Sequence, residues 1–264
     1  ALLDIGRGAM DRHFEYYKRS FCRLAEIENP LVVYASAQDA DWIYEVRQNR
    51  DIVVRLFEPA DLRTTPYFEA MDAIRKSPDW VSVAKWMRDS PQYKLPEYTP
   101  LTIMKPYWMQ DVARENPFGT DRLYWLDAGI FSNQMYGYMG RWVEADVLPR
   151  DSFLIFTVSY RPKIEANGMP IGAFCEHLGV PHLRWWARGG LIGGRLSLID
   201  PFVDHFDDVL TLTLEQGLLG TEENILTILA HQNPDRFHAH RLWFNRWSLG
   251  VGARALATGR LTAV

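Results

Sequence analysis

A chain of 264 residues is long enough to bury a sizeable core, and 47% hydrophobic with 23% charged residues excludes a disordered polymer. The net charge of −4 gives no reason to expect a general nucleic-acid binder. From His231 onward five Arg (236, 241, 246, 254, 260) face the single acid Asp235, a basic segment that suits an anionic ligand such as a diphosphate and equally describes a solvated tail.

No run approaches the roughly 20 apolar residues that span a bilayer, and the start lacks the basic-then-apolar pattern of a signal peptide. The two cysteines, Cys22 and Cys175, stand far apart in apolar helical contexts. Buried free thiols in a reducing compartment are expected, hence a cytoplasmic protein. Ten Trp and 12 Tyr supply aromatic platforms for sugars or bases, with core packing the plainer account.

The opening Ala1-Leu-Leu-Asp4-Ile-Gly6-Arg7-Gly8 reads as a first strand in progress. A helix follows, because Phe14, Tyr17, Phe21 and Leu24 recur at helical spacing, and Asn29-Pro30 stops it. Leu31 to Ala35 is a strand, Asp39 to Arg50 a helix and Ile52 to Phe57 a strand, which together imply parallel pairing through crossover helices. Pro59 to Asn116 is mostly helical and punctuated by proline, with an exposed loop at Pro91 to Pro100 leading into a helix that carries Lys105.

Arg122 to Leu126 has the aromatic and aliphatic character of a buried strand, and it delivers Asp127 into a small-residue turn, Ala128-Gly129. In open α/β sheets ligands bind beyond the carboxyl ends of strands, so Asp127 is a site candidate, although Asp also simply begins turns. Phe153 to Tyr160 is a further strand and Arg161 to Pro170 a polar loop. Arg188-Gly189-Gly190-Leu-Ile-Gly193-Gly194 lacks the spacing of a phosphate-binding loop. Paired glycines there imply either a backbone passing close to a ligand or a tight turn or bulge.

Ser197 to Gln216 reads as helical with a break near Pro201. Thr221 is an N-cap for a helix whose first turn holds Glu222 and Glu223. These carboxylates suit a helix start electrostatically, and they also provide a rigid mount for a general base. His238 and His240 would share one face of a strand, yet no third ligand stands at a metal-site spacing. The absence of G-x-S-x-G, H-E-x-x-H and C-x-x-C removes the common hydrolase, zinc-protease and thioredoxin-like readings.

Taken together, Leu-Leu-Asp4-Ile-Gly6-Arg7-Gly8, Asn29-Pro-Leu-Val-Val-Tyr34, Met104-Lys105, Asn116 to Gly129, Gly189 to Gly194 and Thr221 to Phe237 resemble the bacterial HtrL/WlaTC (YibB-like) glycosyltransferase family. The resemblance runs over nearly the whole chain. It implies an α/β fold of GT-A type: one domain over 1–264 with a mostly parallel central sheet flanked by helices, a nucleotide-binding half over 1–130 and an acceptor-side half over 131–264. It implies a transfer of a sugar from a nucleoside-diphosphate sugar to a hydroxyl of a glycan or small molecule.

Carried over residue by residue, the resemblance places Asp4, Arg7, Lys105, Asp127, Ala128, Gly129, Gly189 and Gly190 at the donor. The resemblance also implies that Glu222 or Glu223 faces the acceptor, as base. A divalent cation, Mg²⁺ or Mn²⁺, is implied at Asp127, with Gly129 standing where such motifs carry a second acid; cationic side chains would otherwise neutralise the diphosphate. Two readings from other classes stay open: a nucleotidyltransferase acting on a sugar phosphate, and a non-catalytic sugar- or nucleotide-binding protein.

Overall fold

The structure, a computed structural model, describes residues 1–48, 50–131, 151–159 and 162–242, of which 240–242 by backbone alone. Tyr160, Arg161, Arg246, Arg254 and Arg260, and with them most of the basic C-terminal segment, lie outside the described residues.

The mixed α/β class expected from the sequence is what the chain adopts. The opening residues make a single parallel bridge, Leu2 with Ala35, and Leu2 N donates to Tyr34 O at 2.8 Å. Gly6 turns the chain at φ 82°, a value an L side chain rarely adopts, and a 3-10 turn at Arg7–Ala9 follows. Helix α1 (Phe14–Leu24) ends short of Asn29-Pro30. The wholly buried guanidinium of Arg47 gathers the carbonyls of Ala25 (2.7 Å) and Ile27 (2.5 Å), which fixes the loop into β1 (Leu31–Ala35). Helix α2 (Ala37–Arg47) then crosses to β2 (Ile52–Leu56), parallel to β1 in the register Leu31 with Ile52.

Short helices α3 (Phe68–Lys76), α4 (Pro78–Ser82) and α5 (Pro91–Lys94) fill the proline-punctuated region. In α4 and α5 a proline takes the first position, where its missing N–H costs nothing. Long α6 (Tyr98–Glu115) carries Pro106 in its interior and buries Ile103, Lys105 and Trp108. Asn116, in the left-handed region at φ 44°, stops it and leads to β3 (Arg122–Leu126).

Strand β4 (Phe153–Val158) is buried at every position, as befits a strand covered on both faces. The expected polar loop contains a small hairpin, β5 (Glu165–Ala166) and β6 (Met169–Pro170), turned by Asn167 and Gly168 at φ 49° and 93°. Asn-Gly with both angles positive is the pattern that matches strand twist across a two-residue turn. After α7 (Ile171–Leu178) comes β7 (Trp186–Arg195), ten residues long, then α8 (Ile199–Glu215), α9 (Glu222–Gln232) and β8 (Phe237–Leu242). Pro201 causes no break, because it falls in the first turn of α8.

The larger sheet has the order β3, β7, β4, β8. Parallel pairing holds between β1 and β2 and between β4 and β8, while β7 runs antiparallel to both its neighbours. Tyr34, Trp108 and Trp125 form a stack with ring centroids 4.8 and 5.8 Å apart, joining β1, α6 and β3. Core packing thus accounts for Trp80, Trp108, Trp125 and Trp186, all buried. Below β1 and β3 lies a cavity of about 180 Å³ with an apolar lining that includes Val33, Trp108 and Ala128.

At Gly193 (φ 154°) β7 passes so close to β3 that an added Cβ would lie 2.3 Å from Leu123 O and 2.7 Å from Tyr124 Cα. Both atoms are backbone and cannot swing aside. Gly193→Ala should therefore cost at least the roughly 1–3 kcal/mol typical of overpacking, read as a lowered urea midpoint.

Candidate active site

The end of β3, the middle of β7, the side of α6 and the start of α9 meet at one buried cation. Lys105 projects from α6, and its ammonium donates to Asp127 Oδ1 at 2.8 Å, to Glu222 Oε1 at 2.6 Å and to Gly189 O at 3.3 Å. An ammonium has three N–H donors, so this set uses all of them. Trp125 braces the arrangement from β3, with Nε1 donating to Asp127 Oδ1 at 2.8 Å and its ring centroid 6.0 Å from the ammonium.

The double glycine is a bulge, one of the two alternatives that its sequence left open. The pairing of β4 with β7 jumps from Ile155 with Ile192 to Phe156 with Arg188, so Gly189, Gly190 and Leu191 leave that ladder. The backbone groups of Gly189 and Gly190 turn to the site instead, while Leu191 stays paired with Leu126 of β3. Gly190 O accepts from Asp127 N at 3.0 Å, Gly189 N donates to Glu223 Oε1 at 3.2 Å, and Gly189 O accepts from the Lys105 ammonium at 3.3 Å. A Cβ at Gly189 would lie 2.2 Å from Glu222 Oε1, so what the missing side chain admits is the carboxylate of Glu222.

Helix α9 is mounted rigidly. Asn224 Oδ1 accepts from Thr221 N at 3.0 Å in a capping box, and Asn224 Nδ2 donates to Ala166 O at 2.9 Å. Farther along, Thr227 Oγ1 accepts from Ala187 N at 3.0 Å, binding the helix to β7.

The two glutamates are not equivalent. The Glu222 side chain is 6% exposed and paired with Lys105; the Glu223 side chain is 14% exposed and held by longer contacts. Glu223 Oε2 accepts from Arg188 Nη1 at 3.2 Å, Trp186 Nε1 at 3.3 Å and Asn167 Nδ2 at 3.4 Å. Arg188 and Asn167 are themselves only half-buried, so this side of the cluster is the more accessible.

Burial raises the proton affinity of Glu222 and outweighs the opposing pull of Lys105, with Glu223 and Asp127 adding to the rise. Burial also works to raise that of Asp127, yet Lys105 and the Trp125 hydrogen bond hold it below the usual carboxylate range. For Lys105, burial disfavours the charge, and Asp127 and Glu222 more than offset it, so the ammonium stays protonated well above its ordinary range.

A second layer is aromatic. The Arg7 guanidinium pairs with Asp11 and lies 5.2 Å from the Tyr98 ring centroid and 6.0 Å from that of Tyr17. Gly129 is where Tyr17 packs, since a Cβ there would lie 3.2 Å from Tyr17 Cε1. Tyr98 is raised by burial, lowered by Arg7 and raised by Glu222 and Glu223, which joins it electrostatically to the acidic pair. Ala128 is buried above the apolar cavity. Asp4 is exposed and closes its own turn, Oδ1 accepting from Gly6 N at 2.9 Å.

Of the residues expected at the donor and acceptor, Lys105, Asp127, Gly189, Gly190, Glu222 and Glu223 meet directly. Arg7 and Gly129 come in through Tyr17, whereas the Asp4 side chain is engaged in its own turn by Gly6 N. Sequence reasoning missed Tyr17, Tyr98, Trp186 and Asn167. The Asn167-Gly168 dipeptide was the available signal for the last, since it marks a hairpin.

The residues fit a divalent cation poorly. Asp127 Oδ1 and Glu222 Oε1, the two carboxylate oxygens that converge, already share an ammonium. Two unit charges 4 Å apart repel by about 4 kcal/mol at an effective dielectric of 20, and a divalent ion doubles that. Among the described residues no three His, Cys, Asp or Glu side chains gather as a ligand set.

Residues 1–250 match the model of HtrL_YibB, described as a bacterial protein of unknown function. The chain belongs to this family. No curated protein sequence matches this HtrL_YibB chain. Among solved structures, mouse xyloside xylosyltransferase 1 in its apo form is similar at a TM-score of 0.42 and 12% identity, covering 94% of this chain and 90% of that one. The side chains of the HtrL_YibB site, not this likeness, carry the functional reading. Among the described residues no helix is long and apolar enough to cross a membrane. Cys22 is half-buried and Cys175 buried, and both are free thiols.

Proposed function

We propose that this protein is a glycosyltransferase that moves a sugar from a nucleoside-diphosphate sugar to an acceptor hydroxyl, in a fold of GT-A type. The observation that carries the reading is Asp127. Its side chain is 41% exposed at the carboxyl end of β3, while Oδ1 is fixed by Lys105 and Trp125. A carboxylate so held presents its second oxygen to a ribose or sugar hydroxyl without losing conformational freedom on binding. Arg7 beside Tyr17 and Tyr98 supplies a guanidinium and two rings for a diphosphate and its nucleoside.

Glu223 serves as base, because it is the more accessible glutamate and because hydrogen bonds in a resting site tighten only when substrate arrives. In the step itself the acceptor oxygen bonds to the anomeric carbon and its proton passes to Glu223. The bond from that carbon to the diphosphate breaks, and the diphosphate leaves with the electron pair. Glu222 acts at one remove, holding Lys105 against Asp127. A non-catalytic binding role has one observation in its favour, the four donors that already surround Glu223.

Incubation with a panel of sugar nucleotides and candidate acceptors separates the readings. Free nucleoside diphosphate that forms only when acceptor is present is the expected outcome. Pyrophosphate released from a nucleoside triphosphate would mark a nucleotidyltransferase, and binding without any product would mark the non-catalytic role.

A further inference from the structure

We infer that the ammonium of Lys105 is the resident cation of this site, occupying the place where a divalent ion would otherwise bridge Asp127 and Glu222. The geometry has the features of a cation site with the cation built in. Two carboxylate oxygens and one backbone carbonyl, Asp127 Oδ1, Glu222 Oε1 and Gly189 O, converge on a single point, and the Lys105 nitrogen is at that point, 2.8, 2.6 and 3.3 Å from them. Such oxygen donors are those that Mg²⁺ and Mn²⁺ choose. Here they are provided by three separate elements, β3, α9 and the β7 bulge, and held in place by groups that do not depend on any ion. Trp125 holds Asp127, the capping box holds the start of α9, and Glu223 holds Gly189 N.

The Lys105 side chain is 8% exposed, so it cannot swing into solvent to make way. Against the opposing effect of burial, Asp127 and Glu222 also keep it charged well above its ordinary range, which leaves no neutral amine to yield the position. The site therefore has its positive charge fixed at folding. Gly129 in the place of a second acid belongs to the same arrangement, since the turn after Asp127 packs against Tyr17 and provides no further carboxylate.

The inference concerns the same site as the proposed sugar transfer, but it is tested without any sugar nucleotide, so either can fail alone. Mn²⁺ binding is measured by electron paramagnetic resonance and calorimetry on the whole chain. Wild type and Asp127→Asn should behave alike, with no ion bound at these carboxylates. One Mn²⁺ per chain in wild type that disappears in Asp127→Asn would overturn the inference. Lys105→Met, which keeps the stem and removes the charge, should bind one Mn²⁺ tighter than wild type by about tenfold or more, and should lose it again in the double variant Lys105→Met/Asp127→Asn. A folded Lys105→Met that takes up no Mn²⁺ would also overturn it. Where Lys105→Met does not fold, the wild-type and Asp127→Asn pair decides.

Discussion

Replacing Glu223 by Gln should lower the rate of sugar transfer by about 10²–10⁴-fold, the usual worth of general-base help, while leaving donor affinity nearly unchanged. The amide is the same size, and its oxygen still accepts from Gly189 N, now at 3.2 Å. What is lost is the ability to take a proton, the acceptor that Oε2 offers Trp186 Nε1 at 3.3 Å and Asn167 Nδ2 at 3.4 Å, and the ion pair with Arg188 at 3.2 Å. That pair is partly solvated, and exposed pairs contribute only about 0–1 kcal/mol to stability. Single-turnover kinetics with a separate donor-binding isotherm reads the two effects apart. If donor affinity falls in step with turnover, Glu223 binds the donor and the base lies elsewhere. Glu222→Gln should show the opposite pattern, because Glu222 reaches the donor only through Lys105 and Asp127.

The second large effect is on stability. Lys105→Met leaves Glu222 buried without its counter-charge, and breaking a buried pair by removing one partner costs about 3–5 kcal/mol. Each kcal/mol is worth about 2–4 °C of melting temperature in a chain of this size class, so the loss is visible in a simple melt. Its pH dependence is the stricter check. Lys105 has a raised folded-state proton affinity, so its contribution is fully present below the ordinary lysine value of 10.5 and is lost as pH climbs above it. The gap between wild type and variant should hold steady through neutral pH and close on the alkaline side. On the acid side it should also narrow. Glu222, whose proton affinity is already raised by burial, takes up a proton in the variant and relieves the uncompensated charge. A gap that widens as pH falls would contradict this account of the cluster.

Much of this architecture is legible in the sequence, and the reasons are local. The strands at Leu31–Ala35 and Arg122–Leu126 match their expected limits because each is a short apolar run closed by turn residues on both sides. The start of α9 follows from Thr221 and the acidic first turn, and Asp127 at the end of β3 follows from a polar residue terminating an apolar strand. Lys105 and Glu222 were each identifiable as site residues, but their partnership was not. They lie 117 residues apart, and no periodicity reports a pairing made by the packing of α6 against α9.

The double glycine shows the same limit from the other side. Its sequence announces that something approaches the backbone at Gly189, and it cannot say that the approaching group is the protein's own Glu222. Tyr17 and Tyr98 are hidden for another reason. On a helix they are indistinguishable from core aromatics until the fold sets Arg7 between them. The direction of β7 is likewise decided by long-range pairing with β3 and β4, which a glycine-rich run with little alternation does not encode.

The most direct test of the central claim is a thermal-shift screen of nucleoside diphosphates and their sugar conjugates, run on wild type and on Asp127→Asn. A ligand at 100 times its dissociation constant adds about 2.7 kcal/mol, or about 5–10 °C for a chain of this size class. At least one nucleoside diphosphate or its sugar should give a shift of that order, reduced in the Asp127→Asn protein. No stabilisation by any of them, or an equal shift in the variant, would contradict a donor site built on Asp127.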